Sequence, residues 1–187
     1  MSDFERHPKI LDRNKSALLV IDIQDRIYKV VRKHDKLIEN VLKLIKGFKI
    51  LTLPIYYTEQ YPKGLGPTAE IIKNELSGDA IQKLTFSCSG AANLFQELRT
   101  KNIKQVVVCG IESHVCVQQT VLDLLTNGFQ VNVPVNAISS RFKVDYKTAL
   151  KRMDKNGAEI TSTESILFEL LQVCGTPEFK QISTLVK

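Results

Sequence analysis

The sequence has no hydrophobic run long enough to cross a bilayer, no cysteine pair at C-x-x-C spacing and no apolar centre in its first stretch, MSDFERHPKI. A bilayer span requires about 20 apolar residues, and a secretory signal requires an apolar segment. The 4 cysteines are therefore expected to be reduced thiols in a cytoplasmic protein without a membrane partner. Basic residues near the N-terminus leave a mitochondrial leader as a weaker alternative, because acidic residues interrupt them.

Histidine is also scarce, and His7, His34 and His114 are too scattered for the ligand spacing of a metal site. We therefore expect no metal and no other cofactor. The net charge of +6 is not accompanied by a recognition-helix, RNP or zinc-knuckle pattern. Its excess lies at 29–49 and 141–155, where basic residues alternate with apolar ones at helical spacing. These segments predict solvated helix faces and no nucleic-acid partner.

The sequence does contain a repeated alternation of short apolar runs with helical periodicity. The predicted strands are 17–21, 55–58, 81–84, 106–109, 129–133 and 158–161, and the later predicted helices include 71–76, 91–98, 145–155 and 165–171. Such an alternation predicts an α/β fold: a doubly wound, mostly parallel six-stranded sheet with helices on both faces, a Rossmann-like three-layer sandwich. A chain of 187 residues that is 43% hydrophobic suits one domain, 1–187, with its core at about 16–170.

The segment 105–120 carries the clearest site signal. An unbroken β-branched run ends at Gly110, and apolar residues at helical spacing begin at Val117. If Ser113 caps that helix, Cys116 lies in its first turn, where free N–H groups and the helix dipole favour a thiolate nucleophile. A buried, unreactive cysteine is an equal alternative from position alone.

Two other polar residues meet the rule that ligands bind at the carboxyl ends of parallel strands. Asp22 follows the first apolar strand, and Lys83 lies between Ile81 and Leu84 in apolar surroundings. A carboxylate can take the thiol proton of Cys116, and an ammonium group can hold the resulting anions. The alternatives are a helix cap for Asp22 and a partly exposed strand residue for Lys83.

At these residues the chain resembles the isochorismatase-like cysteine hydrolases, from about residue 16 to residue 170. The resemblance rests on three separated blocks in the same order, LVIDIQ at 19–24, QKLTFS at 82–87 and VCGIESHVCV at 108–117. In that family the aspartate, the lysine and the cysteine of these blocks form a catalytic triad. The resemblance therefore implies that role for Asp22, Lys83 and Cys116.

The same resemblance implies a cis peptide at Ile111–Glu112 and an oxyanion hole formed by the backbone N–H groups of Glu112 and Cys116. Family members that have the cysteine hydrolyse amide and related C–N bonds, whereas members that cleave the vinyl ether of isochorismate usually lack it. Cys116 therefore favours hydrolysis of a small-molecule amide through a covalent thioester intermediate. The sequence does not define the substrate.

The Asp-x-His metal motif of nicotinamidases is absent after the second strand, where this chain reads TEQYPKG at 58–64. That segment is more similar to the subgroup of isochorismatase-domain-containing proteins. We expect Gln24, Glu59 and Phe86 to line the substrate pocket. Two alternatives stay open: a non-catalytic binding or scaffold protein that keeps the fold, and a cysteine-independent vinyl-ether hydrolase.

Residues close to the blocks receive lesser roles. His114 lies two positions before Cys116 and so points to another side of the helix, which places it at a pocket rim and not as a base. Cys88 is placed near the pocket without a base of its own. If the helix start and Lys83 outweigh the opposing charge of Asp22, Cys116 is the first cysteine to be alkylated. Domains of this kind often assemble, so a homo-oligomer is expected.

Overall fold

The centre of the structure, a computed structural model that describes residues 5–91 and 93–187, is a parallel β-sheet. Its strands are β1 (Ser16–Ile21), β2 (Ile55–Gln60), β3 (Ile81–Lys83), β4 (Gln105–Ile111), β5 (Gln130–Pro134), β6 (Ile138–Ser139) and β7 (Glu159–Thr161). They pair in the order β3-β2-β1-β4-β5-β7, with β6 beside β4, and these pairings are parallel. The predicted α/β fold is confirmed, with 7 strands in place of six.

Helices cover both faces of this sheet. They are α1 (His34–Ile50), α2 (Pro62–Leu65), α3 (Glu70–Lys73), α4 (Leu94–Thr100), α5 (Gln118–Thr126), α6 (Lys143–Lys155), α7 (Thr163–Leu171) and α8 (Pro177–Val186), with a π-helical turn at Ser113–Val117. One apolar core lies under α1, α7 and α8, and a second lies under α4, α5 and α6. In the described part of the chain, no helix has the length and apolar character that crossing a membrane would require.

The first strand shows why both faces of the sheet are covered. All residues of β1 are buried. Leu18 and Val20 belong to the core under α1, whereas Ala17, Leu19 and Ile21 belong to the core under α5. Successive side chains of a strand point to opposite faces, so an apolar run without polar alternation requires a cover on each side.

Three details differ from the predicted pattern. The strand β6 spans 2 residues, which is too short to leave a periodic signal. The helix α8 was missed, although Pro177 at its first turn and the Thr176 hydroxyl, which accepts a hydrogen bond from the Phe179 N–H, are start signals. The helix predicted at 91–98 begins at Leu94, and Ala92 lies outside the described residues.

Candidate active site

Asp22, Lys83 and Cys116 lie together at the carboxyl edge of the sheet. Asp22 directly follows β1, Lys83 is the last residue of β3, and Cys116 lies in the π-helical turn after β4. The Lys83 Nζ atom is 2.7 Å from Asp22 Oδ2, and the charges of both side chains act on the Cys116 thiol. The carboxyl ends of adjacent parallel strands form a crevice, and here that crevice brings the three side chains into one buried cluster.

The Asp22 carboxylate is held from two sides. The Thr58 hydroxyl donates a hydrogen bond to Oδ1 at 2.7 Å, and Lys83 Nζ donates to Oδ2. The backbone of Asp22 has a φ of 52°, in the left-handed region that aspartate tolerates better than most residues. Each carboxylate oxygen has two lone pairs, so one donor on each leaves Asp22 able to accept a further proton.

The surroundings of Lys83 are polar, which corrects the apolar setting predicted from its neighbours in sequence. Besides Asp22, its ammonium group donates to Gln60 Oε1 at 2.9 Å and to the carbonyl oxygens of Thr85 and Phe86 at 3.3 and 3.0 Å. The side chain is 0% exposed. Gln60 comes from another strand, and the two carbonyl oxygens are brought to Lys83 by the path of the loop after β3, so the local sequence alone could not show these acceptors.

Cys116 is a buried thiol in the π-helical turn, with 7% exposure. Burial raises the pKa of the Cys116 thiol, and the negative charge of Asp22 raises it further, whereas Lys83 lowers it in part. Single π-turns of this kind are frequent at functional sites. The resting side chain is therefore protonated at neutral pH, and it requires a base in order to act as a nucleophile.

Two threonines and a second cysteine complete the cluster, and sequence reasoning did not single out either threonine. Cys88 is buried beside the Thr58 hydroxyl, with Sγ 3.9 Å from Oγ1. The Thr120 hydroxyl donates to the Cys116 carbonyl oxygen at 2.7 Å and accepts from the Cys88 N–H at 2.9 Å. Thr58 lies near the end of β2, so the strand-end rule that selected Asp22 could also have selected it.

The loop between β4 and the π-helical turn depends on Gly110. This residue has a φ of +119°, and a Cβ atom there would lie 2.1 Å from the carbonyl oxygen of Ile21. Glycine therefore lets β4 approach β1 next to the site. The Ile111–Glu112 peptide is cis, and Glu112, not the predicted Ser113, is the N-cap of the turn.

The Glu112 side chain ties this loop to the segment that precedes α6. Its Oε1 atom accepts hydrogen bonds from the N–H and the Nε of Arg141, both at 3.1 Å. Its backbone N–H has no acceptor within hydrogen-bonding distance among the described residues. An uncommitted N–H beside a nucleophile is the type of donor from which an oxyanion hole is built.

Gln24 and Glu59, which were predicted to line a substrate pocket, form hydrogen bonds within the protein. The Gln24 amide donates to the carbonyl oxygens of Gln60 and Gly66 and accepts from the Gln60 N–H. The Glu59 Oε1 atom accepts from the N–H and the hydroxyl of Thr68, at 2.7 and 2.8 Å. These bonds give both side chains a structural role, and substrate contact by either stays a prediction.

Phe86 differs from Gln24 and Glu59 because its side chain is exposed. Its side chain is 54% exposed, and that of Leu84 is 77% exposed. The Phe86 carbonyl oxygen accepts a hydrogen bond from Lys83, and the Leu84 carbonyl oxygen accepts one from the Gln60 amide at 2.8 Å, so the backbone of both residues adjoins the polar cluster. Apolar side chains beside a few convergent polar groups are typical of sites for small molecules.

His114 faces away from the cysteine, towards α6. Its Nδ1 atom is 3.0 Å from the Ser140 hydroxyl, and its Nε2 atom is 3.9 Å from Asp145 Oδ2. Within residues 5–91 and 93–187, no group of three or more His, Cys, Asp or Glu side chains is arranged to hold a metal ion. The functional groups gathered at the site itself are a carboxylate, an ammonium group and a thiol.

Labelling with iodoacetamide at neutral pH is expected to begin at Cys174, which is exposed. Burial raises the pKa of Cys88 to about 11, and it also raises the pKa of Cys109 and of Cys116. Since the thiolate is the reactive species, labelling of the buried cysteines should rise steeply with pH. Burial and the charge of Asp22 outweigh the effect of Lys83 on the Cys116 thiol, so Cys116 is not expected to be labelled first. Mass mapping of alkylated peptides across a pH series checks this order, and rapid labelling of Cys116 at neutral pH would contradict it.

Comparison with known proteins gives concordant results over most of the chain. The family model of the isochorismatase domain matches residues 16–165. Isochorismatase domain-containing protein 2 from Macaca fascicularis is 36% identical over 174 residues, which cover 92% of this chain and 83% of that protein. The solved structure of MAR1 ribonuclease from Caenorhabditis elegans is 35% identical, with a TM-score of 0.87, and the match covers 94% of this chain and 91% of that one.

A more distant structure shows the same fold. YcaC from Escherichia coli, described as an octameric hydrolase of unknown specificity, superposes with a TM-score of 0.88 at 23% identity, over 97% of this chain and 92% of that one. The family model and the relatives above 30% identity cover the part of the chain that contains the three sequence blocks. The chain belongs to the isochorismatase family.

Proposed function

We propose that the protein is a hydrolase that uses Cys116 to cleave an amide or related C–N bond of a small molecule. Its family and the hydrolase with which it shares its fold support the general class. The observation that carries the finer proposal is the Asp22 carboxylate, held by Lys83 and Thr58 beside the buried thiol. A base, a cation that fixes the base and a nucleophile are the parts that acyl transfer requires.

In the proposed first half-reaction, Asp22 takes the proton of Cys116 while the sulfur attacks the carbonyl carbon of the substrate. A C–S bond forms, the C–N bond breaks, and Asp22 returns its proton to the leaving amine. In the second half-reaction, Asp22 takes a proton from water, whose oxygen attacks the thioester. The acid leaves, and the proton returns to the sulfur, so that thiol and carboxylate are restored.

The raised pKa of Cys116 fits this order of events. A thiol that is protonated at rest needs its base at the moment of attack, and Asp22 has the free lone pairs to serve. We assign Lys83 the role of fixing and neutralising the carboxylate, because its ammonium group contacts Asp22 and three other acceptors. The N–H groups of Glu112 and Cys116 are proposed to stabilise the oxyanion, and Phe86 is proposed to contact the substrate.

Release of ammonia or amine from a panel of small amides, ureides and N-carbamoyl compounds tests the proposal. The native protein should turn over at least one of these classes, and Cys116→Ala should show no turnover. Ammonia release retained by Cys116→Ala would remove Cys116 from the reaction, whereas cleavage of isochorismate by both proteins would support the vinyl-ether alternative. A native protein that binds members of the panel without cleaving them would support the scaffold alternative.

Cleavage of RNA is a second candidate, because the relative from Caenorhabditis elegans is named a ribonuclease. The enclosure of the site favours small substrates over a polymer, since the side chains of Lys83 and Asp22 are 0% and 4% exposed. A labelled single-stranded RNA in the same panel separates the two. If the native protein cleaves RNA and Cys116→Ala does not, the bond cleaved at this site is a phosphodiester and not an amide.

Turnover is expected to survive exhaustive treatment with EDTA. The proposed chemistry uses a carboxylate, an ammonium group and a thiol, and both carboxylate oxygens already accept hydrogen bonds from the protein. Activity is measured before and after chelation, and again after zinc, iron or manganese is added. Loss of activity on chelation with recovery on addition of one metal would contradict this expectation.

We also propose a homo-oligomer, supported by the shared fold with YcaC, which is described as octameric. Light scattering at micromolar concentration should give a mass that is a multiple of 21.1 kDa. A mass of one chain across the accessible concentration range would contradict the proposal.

A further inference from the structure

A cleft separate from the cysteine site lies between the start of α1, the start of α6 and the segment around β6. Its volume is about 450 Å³, within the range of about 300–1,000 Å³ that is typical of small-molecule sites. Leu37, Ile138 and Tyr146 contribute to its apolar floor. The cations around it are Arg32, Lys33, Lys36, Lys143 and Lys147. None of the residues of the cysteine cluster lines this cleft.

The positive charge of the cleft is not balanced by acids. No aspartate or glutamate of the described chain lines it. On the two helices that border it, Glu39 pairs with Lys36, Asp35 is 94% exposed, and Asp145 faces His114. The other four cations have no carboxylate within 4.0 Å among the described residues. Their mutual repulsion is relieved when an anion enters.

This imbalance is not a general consequence of the basic composition. In the cleft beside Lys46 and Lys49, Glu75 pairs with both lysines, at 3.3 Å in each case. The cleft at the opposite edge of the sheet, near the start of β1, has both signs of charge, and Lys15 pairs there with Asp12. Charge of one sign is concentrated in the cleft between α1 and α6.

The walls of the cleft are fixed by hydrogen bonds within the protein. The Arg32 N–H donates to the Ser140 carbonyl oxygen at 3.1 Å, and the Ser139 hydroxyl donates to the Arg32 carbonyl oxygen at 2.6 Å. The Tyr146 hydroxyl donates to the Val135 carbonyl oxygen at 2.6 Å. A site whose walls are already ordered loses little conformational entropy when a ligand binds.

From this combination we propose that the cleft binds a phosphorylated small molecule of about mononucleotide size with an apolar or aromatic body. The exposed ammonium and guanidinium groups at the rim suit the charge of phosphate groups. The apolar floor suits the body of the ligand, and the stems of the lysines extend the apolar surface upward. A phosphate group alone would leave the floor uncovered, and an uncharged body would leave the cations unpaired.

Calorimetric titration of the whole protein with ADP tests the proposal. Inorganic pyrophosphate and adenosine represent the two halves of ADP, the phosphate groups and the nucleoside, and are titrated separately. ADP should bind with one site per chain, more tightly than either half, and more weakly as the ionic strength rises. Lys147→Glu and Arg32→Glu should each weaken ADP binding by roughly tenfold, since each change removes an attractive contact with phosphate and adds a repulsive one.

Lys180→Glu is the matched control, because it makes the same change in net charge at an exposed position on α8, outside the cleft. It should leave ADP binding unchanged, and circular dichroism should show that all three variants are folded. Equal weakening in the control, or no saturable binding of ADP, would overturn the proposal. Tighter binding of single-stranded RNA than of ADP would also overturn it, as would a change of oligomeric mass in Lys147→Glu, which would make the cleft an interface between copies.

Discussion

Asp22→Asn is expected to abolish turnover and, at the same time, to make Cys116 easier to alkylate. The amide cannot carry the proton between sulfur and leaving group, and loss of a general base costs about 10³-fold in rate. The negative charge of Asp22 raises the pKa of the Cys116 thiol, so its removal lowers that pKa and increases the thiolate fraction at a given pH. Rates of product release and of iodoacetamide labelling are measured on the same preparation.

The opposite directions of these two effects distinguish a proton carrier from a residue that only supports the fold. A disordered site would expose the thiol but would also expose Cys88 and Cys109 to the reagent, which mass mapping would detect. Asp25→Asn is the matched control, because Asp25 is an exposed acid three residues away, and it should alter neither rate. Full turnover by Asp22→Asn would remove Asp22 from the mechanism.

Lys83→Met is expected to cause the largest loss of stability among the substitutions considered. It leaves the Asp22 carboxylate buried without its cation, while the Thr58 hydroxyl still donates to it. Breaking a buried ion pair by removing one partner costs about 3–5 kcal/mol. For a chain of this length, such a loss lowers Tm by roughly 10 °C. Urea and thermal unfolding measure the change.

A second lysine provides the control for this effect. Lys101→Met removes a short but exposed ion pair with Glu97, at 2.7 Å, and it should cost less than about 1 kcal/mol. Adding Asp22→Asn to Lys83→Met should recover part of the loss, because the unpaired charge is then removed. Equal losses of stability for Lys83→Met and Lys101→Met would show that the buried ion pair contributes no more to the free energy of unfolding than the exposed one. Lys83→Met should also slow alkylation of Cys116, since Lys83 lowers the pKa of that thiol.

The sequence predicted those residues of the site that lie at the ends of unbroken apolar strands. Asp22 and Gly110 each interrupt an unbroken apolar run, and parallel strands with both faces covered require such runs. The ends of these runs therefore locate the edge where β1 and β4 meet. Cys116 and Lys83 were selected by their positions at a helix start and in a strand, and the order of the three blocks then indicated the family and their catalytic roles.

Features that depend on contacts across the sheet had no signal in the sequence. The acceptors around Lys83 come from β2 and from the loop after β3, and only the register of β2 with β3 brings Gln60 opposite Lys83. The two-residue strand β6 exists because its neighbour β4 is already in place. The pKa of Cys116 likewise follows from burial and from a charge distant in sequence, so the helix start alone predicted the wrong direction.

The close approach of β4 to β1 at Gly110 also sets a limit for the engineering of this protein. Any side chain at this position would meet the backbone of Ile21, one residue before the proposed base, and backbone cannot move aside as a flexible side chain can. In a library randomised at this position, active clones should all retain glycine. New substrate range has to be sought elsewhere, and the exposed side chains of Leu84 and Phe86 offer positions where size and polarity can be varied without moving the sheet.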